Sequence, residues 1–147
     1  MVVETLIASL SLVVLGTLAG LSIKFLQGKG HKVANHEVVD LRRLPATQNG
    51  LPNAQLGAKA TLLQFSTEYC GQCPGVRRQL ARLAYRLGGL SHLEVDITER
   101  LDIAAHFKIS QTPTVLLLNN HGEIVFRFGG LPNLQRLTQE LQRLGVK

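Results

Sequence analysis

Tryptophan is absent from this 147-residue chain, and other aromatics are scarce, with two tyrosines and five phenylalanines. So few stacking platforms, with no nucleic-acid motif beside them, exclude a nucleic-acid surface as the reason for the net charge of +6. Sulfur is rarer still: one methionine and two cysteines. One close pair of cysteines builds no disulfide framework, so the count alone does not indicate secretion. Acidic residues number ten against sixteen lysines and arginines, and none lies between Cys73 and Leu93. That balance suits acidic partners or anionic lipid. No internal repeat or long low-complexity stretch is present.

Both cysteines lie in one stretch, Phe65-Ser66-Thr67-Glu68-Tyr69-Cys70-Gly71-Gln72-Cys73-Pro74, so any thiol chemistry of the chain happens there. Ala60-Thr61-Leu62-Leu63-Gln64-Phe65 is short, apolar and partly β-branched, which predicts a buried strand. Beyond Cys73, Val76, Leu80, Leu83, Ala84 and Leu87 recur at helical spacing. Pro74 suits a first helical turn, where its missing N–H is no loss. Cys70 is therefore expected at the junction of a strand and a helix N-terminus, where unpaired N–H groups and the dipole favour a thiolate. The two-residue spacing lets Cys73 reach back and displace a mixed disulfide formed at Cys70. The pattern predicts a dithiol exchange site.

Residues from about 60 to 144 resemble the thioredoxin family. The resemblance rests on Cys70-Gly71-Gln72-Cys73 and, about 40 residues later, Gln111-Thr112-Pro113-Thr114 ahead of the apolar run Val115 to Leu118. A hairpin signal at Asn119-Asn120-His121-Gly122, a strand from Glu123 to Phe128, Gly129-Gly130 and a closing helix complete it. It implies an α/β, thioredoxin-like fold, a mixed central sheet flanked by helices, with Pro113 cis and facing the dithiol. It also implies a thiol–disulfide oxidoreductase that needs no cofactor or metal beyond the Cys70–Cys73 couple. Its substrates would be protein disulfides and its electrons would come from an upstream reductase. Tyr69 stands where the family usually carries tryptophan, and with Thr112 and Pro113 is expected to bind substrate. Gln64 stands where many members carry a buried aspartate, and His92 where a lysine commonly partners it. Gln64 and His92 are thus the candidates for proton transfer, as a neutral or His-dependent substitute. Glu68 reads as a solvated loop residue. The Gly-Gln pair between the cysteines leaves the direction of exchange open, with reduction favoured by the resemblance.

Thr5 through Ile23 carries no charge, and Phe25-Leu26 extend the run past Lys24. At about 1.5 Å per residue it matches a hydrocarbon core of about 30 Å. A single transmembrane helix over residues 1–26 is the expectation, uncleaved, since no basic segment precedes it and no Ala-x-Ala site follows. Lys24, Lys29, Lys32, Arg42 and Arg43 follow the run, while only Glu4 and the α-amino group precede it. The positive-inside rule then puts the C-terminal domain in the cytoplasm. The opposite face, with a reductase or isomerase role of the cytochrome-maturation kind, is the rival. Gly16 and Gly20 give a Gly-x-x-x-Gly spacing that could seat a weak homodimer, though glycines are common in membrane helices.

Residues 27–58 are expected to form a basic tether and an irregular lead-in, with Glu37 to Leu41 as an edge strand. Pro45, Asn49-Gly50 and Pro52 signal turns rather than a long helix. His31 and His36 superficially complete a zinc set with the cysteines, but the family resemblance already explains the cysteines. The catalytic domain is placed at 59–147. In it Leu93 to Ile97 reads as a strand, Thr98 as an N-cap and Leu101 to Phe107 as a short helix. Leu134, Leu137, Leu141 and Leu144 mark an amphipathic helix capped by Asn133. His106 and His121 read as surface histidines. Arg77, Arg78, Arg82 and Arg86 crowd the helix after the dithiol, with residues 78, 82 and 86 on one face. A solvated face, or docking of acidic partners or lipid headgroups, follows from that stripe. A non-enzymatic, redox-sensing membrane adaptor is the rival of another class.

Overall fold

The computed structural model describes residues 2–26, 30–33 and 37–147. Ala60–Ser66 is the central strand, β3, reached after a helix α1 (Val2–Leu26) and two short strands, β1 (His31–Lys32) and β2 (Ala46–Thr47). Then follow α2 (Cys73–Arg86), β4 (Leu90–Asp96), α3 (Leu101–His106), β5 (Thr114–Asn119), β6 (Ile124–Gly129) and α4 (Leu134–Arg143). The sheet order is β1-β6-β5-β3-β4-β2. β3 and β4 run parallel, and every other pairing is antiparallel. This is the mixed sheet flanked by helices that the motifs implied.

Successive side chains of a strand point to opposite faces, and every residue of β3 is buried, so both faces of the sheet must be covered. On one face Ala60 and Leu62 pack with Val115, Leu117, Phe126 and Phe128 under Val76 and Leu80 of α2 and Leu137 and Leu141 of α4. On the other, Leu63 and Phe65 join Leu93, Val95, Leu116 and Leu118 under Ile103 and Phe107, with Val39 and Ala46 of the lead-in. The pleat that buries Leu62 towards α2 also turns Gln64, Ser66, His92 and Glu94 that way, and this polar set becomes the floor of the site.

Three expectations need correction. Glu37 to Leu41 is not an edge strand: Val38 makes only an isolated bridge to Glu123, and a 3-10 turn begins at Leu41. The edges are formed by His31–Lys32 against β6 and Ala46–Thr47 against β4, so part of the expected tether is built into the sheet. Gly30 is held there too, because a side chain at that position would overlap the Phe126 ring. Thr98 does not cap α3, whose N-cap is Arg100. Its hydroxyl is committed to Asp96 and accepts the Glu68 N–H, so it braces the loop that carries the dithiol. Asn133 does cap α4, accepting the Arg136 N–H at 3.0 Å.

α1 is apolar on all sides, and its described side chains from Ile7 to Ser22 are exposed. Among the described residues no helix is long and apolar enough to cross a membrane. The transmembrane helix expected over residues 1–26 is therefore not met among the described residues. His36 lies outside the described residues, as do Gln27 to Lys29 of the tether.

Candidate active site

Cys70 and Cys73 form a disulfide with Cα atoms 5.4 Å apart, so the structure is that of the oxidised couple. β3 delivers the chain to Ser66, the loop from Thr67 to Gln72 turns, and Cys73 opens α2 with Pro74 in its first turn. The two sulfurs are not equivalent. Cys70 is half-buried, whereas Cys73 is 1% exposed. The Cys73 N–H is shared between the Cys70 carbonyl oxygen and Cys70 Sγ, each at 3.2 Å, so a donor at the helix start reaches the sulfur.

Below the pair runs a hydrogen-bonded chain. Gln64 Nε2 donates to the Cys73 carbonyl at 3.2 Å, and Gln64 Oε1 lies 3.2 Å from His92 Nε2. A carbonyl oxygen only accepts, so His92 Nε2 must carry the proton. Burial pushes His92 down to about 4; the charge of Glu94 opposes this and that of Arg77 adds to it. The imidazole is therefore neutral at neutral pH. Beside it Glu94 accepts from Ser66 Oγ at 2.7 Å and pairs with Arg77 at 2.6 Å, which fastens the N-terminal half of α2 to β3 and β4. Arg77 is thus paired, apart from the face that Arg78, Arg82 and Arg86 share.

The Thr112–Pro113 bond is cis and Pro113 is buried. Thr67 Oγ1 and Thr112 Oγ1 lie 3.3 Å apart, which joins the dithiol loop to the proline loop. The Gly130 N–H donates to the Pro113 carbonyl at 2.8 Å, and Thr114 Oγ1 donates to the Gln111 carbonyl at 2.8 Å. Tyr69 stands outward at 85% exposure, and a hydrogen bond with Glu68 raises its hydroxyl above the ordinary value. The structure thus brings Gln64, His92 and Cys73 into one chain and Thr112 and Pro113 into the adjoining loop, with Tyr69 on the rim. Sequence reading missed the Thr67–Thr112 contact and the Glu94 anchor. The parallel register places Glu94 opposite Gln64, so the anchor was within reach of a strand alignment. No group of His, Cys, Asp and Glu among the described residues is arranged to hold a metal ion.

Residues 51–143 match the family model for thioredoxin. The chain is similar to the mitochondrial thioredoxin of Mus musculus, 30% identical over 84 residues, or 56% of this chain and 50% of that protein. It is also similar to thioredoxin H4-1 of Oryza sativa subsp. japonica, 28% identical over 116 residues, which covers 78% of this chain and 82% of that one. Among solved structures the thioredoxin of Fasciola hepatica superposes with a TM-score of 0.50 at 22% identity, over 59% of this chain and 82% of that one. That last likeness concerns the fold. The chain spans about half the length of the mitochondrial thioredoxins it matches.

Proposed function

This chain belongs to the thioredoxin family, and from that premise we propose that it is a membrane-tethered thiol–disulfide oxidoreductase that reduces protein disulfides through Cys70 and Cys73. The observation that carries the chemistry is the asymmetry of the pair: one sulfur half-open beneath a helix N–H, the other shut in behind it. In the reduced protein Cys70, as thiolate, attacks a substrate disulfide. A Cys70–substrate disulfide forms and one substrate thiolate leaves. Cys73 then gives up its proton and attacks Cys70 Sγ, which releases the second substrate sulfur as thiolate. Two electrons pass to the substrate, and an upstream dithiol reductase must return two to the Cys70–Cys73 disulfide.

Thr112 would offer its backbone to an extended substrate segment in strand-like pairing, with Pro113 and Tyr69 shaping the two sides. Gln64 and His92 act as positioning residues. A neutral imidazole with a proton already on Nε2 is a poor base at pH 7, so the pair orients the Cys73 carbonyl rather than accepting the Cys73 proton. His92→Ala should slow exchange without moving its pH profile between about 5 and 9. Loss of a titration in that range on substitution would return His92 to proton transfer.

Tethering is supported by the uncharged run Thr5 to Ile23, by the helical backbone of Val2–Leu26 and by the uncovered leucines and valines along it. A helix apolar all round is at rest only inside a core or a bilayer. We place the anchor at 1–26, the lead-in at 27–58 and the catalytic domain at 59–147. The cations after the span favour the cytoplasmic face. Gly16 and Gly20 would let a second copy approach closely, and the exchange chemistry does not require it. Replacement of Cys70 by Ser should abolish disulfide reduction in an insulin or peptide assay; retained activity would assign the nucleophile elsewhere.

A further inference from the structure

The arginines outside the outer face of α2 each have a partner. Arg42 and Arg43 pair with Asp40, Arg77 with Glu94, Arg100 with Asp102, and Arg136 and Arg143 with Glu140. Arg127 donates to the Phe107 carbonyl at 2.7 Å. Arg78, Arg82 and Arg86 are exposed and have no such partner among the described residues. Spaced by four, they stand on one face of α2, about 6 Å apart along the axis. No acid lies between Cys73 and Leu93 to neutralise them.

These arginines form one wall of a groove whose opposite wall is Leu131 and Leu134. Both leucines are large apolar side chains left open, at 52% and 44% exposure. The groove begins at Gly75 and Val76, within the first turn after Cys73. Its leucine wall follows Gly130, which is bonded to Pro113. Its lining is therefore close along the chain both to Cys73 and, through Gly130, to the proline loop.

We propose that this groove docks an acidic segment flanking the target disulfide of a protein substrate, in extended conformation. Side chains on one face of an extended chain repeat every 6.8 Å or so, roughly the spacing of successive arginines. Acids at alternate positions would meet Arg78, Arg82 and Arg86, while the residues between them would turn to Leu131 and Leu134. A lipid headgroup layer is the other source of anionic charge. Leu131 and Leu134 line a groove with the arginines rather than a protruding ridge, and a chain segment can fill a groove where a bilayer surface cannot enter it. The inference rests on the exchange activity proposed above and names the substrate class.

The test compares two disulfide-linked peptides that differ only in their flanks, one alternating glutamate with leucine and the other glutamine with leucine, as substrates of the full-length reduced chain. At low salt kcat/KM should be about tenfold higher for the glutamate peptide, through KM, as expected of three exposed ion pairs. The preference should fade as salt rises from about 20 to about 500 mM. The triple reversal R78E/R82E/R86E should abolish or invert it while the glutamine peptide is still turned over, which also reports that the variant is folded. Equal kcat/KM for the two peptides, or a preference that survives reversal, overturns the proposal. So does reversal-sensitive binding of phosphatidylserine vesicles with no peptide preference, which would assign the face to lipid. If neither peptide is reduced, the exchange activity fails by itself. Fluorescence anisotropy of the same labelled peptides then decides the groove, with tighter, Arg-dependent binding of the glutamate peptide supporting it and equal binding overturning it.

Discussion

Buried polar side chains under a reactive sulfur have to be either paired or uncharged, and His92 is both. At 6% exposure its charged form has lost most of its solvent, which is why it is pushed down to about 4 from an ordinary 6.5. Between those values the unfolded chain binds a proton that the folded one refuses. Stability should therefore be full above about pH 6.5, fall as the pH drops from there to about 4 and level off below it, losing at most about 3 kcal/mol in all. Urea unfolding at pH 7 and pH 4.5 checks this. His92→Gln, which keeps a neutral hydrogen-bonding group there, should lose clearly less stability over that interval than the parent. Equal losses would mean that His92 is not the group responsible. The positions of Gln64 and His92 could be read from the resemblance, but not their bond or the neutral state. Those depend on how much protein covers β4, which a linear pattern does not record.

Strands and helices with a strong period were readable in the sequence. The apolar run at Ala60, the Leu and Val repeat after Pro74 and the leucines after Asn133 each became the expected element. The two-residue strands were not readable, since nothing local makes His31–Lys32 or Ala46–Thr47 extended. Their conformation comes from partners on β6 and β4, remote in sequence. Thr98 failed as a cap for a related reason: its hydroxyl found Asp96 closer than the helix start. Close backbone approach was equally hidden. Gly57 precedes β3 where a Cβ would meet the Ala60 carbonyl oxygen, Ser91 N at 2.7 Å and Gly89 O at 2.8 Å. All three are backbone atoms that cannot swing aside, so Gly57→Ala should cost about 1–3 kcal/mol in chemical denaturation. A neutral result would mean that the β3–β4 start is looser than drawn. Asn133→Ala should cost about 1 kcal/mol by removing the α4 cap, measured in the same way, with unchanged stability contradicting a role for the cap.

An apolar N-terminal helix precedes a thioredoxin-family domain whose own sheet reaches back into the lead-in. Deletion of residues 1–26 should move the protein from the membrane fraction to the soluble fraction; continued sedimentation with membranes would show another means of attachment. Modification of Cys70 by a membrane-impermeant thiol reagent, in intact against permeabilised cells, reports the side. The charge asymmetry predicts labelling only after permeabilisation, and labelling of intact cells would place the domain outside. The mechanism divides the work between two sulfurs, and trapping separates their roles. The full-length Cys73→Ser variant, reduced and incubated with a disulfide-bonded protein, should accumulate a covalent adduct that mass spectrometry locates on Cys70. Reductant should release it, and Cys70→Ser should form none. Absence of any adduct while the parent chain turns over, or a Cys70→Ser variant that still reduces the substrate, would contradict the mechanism.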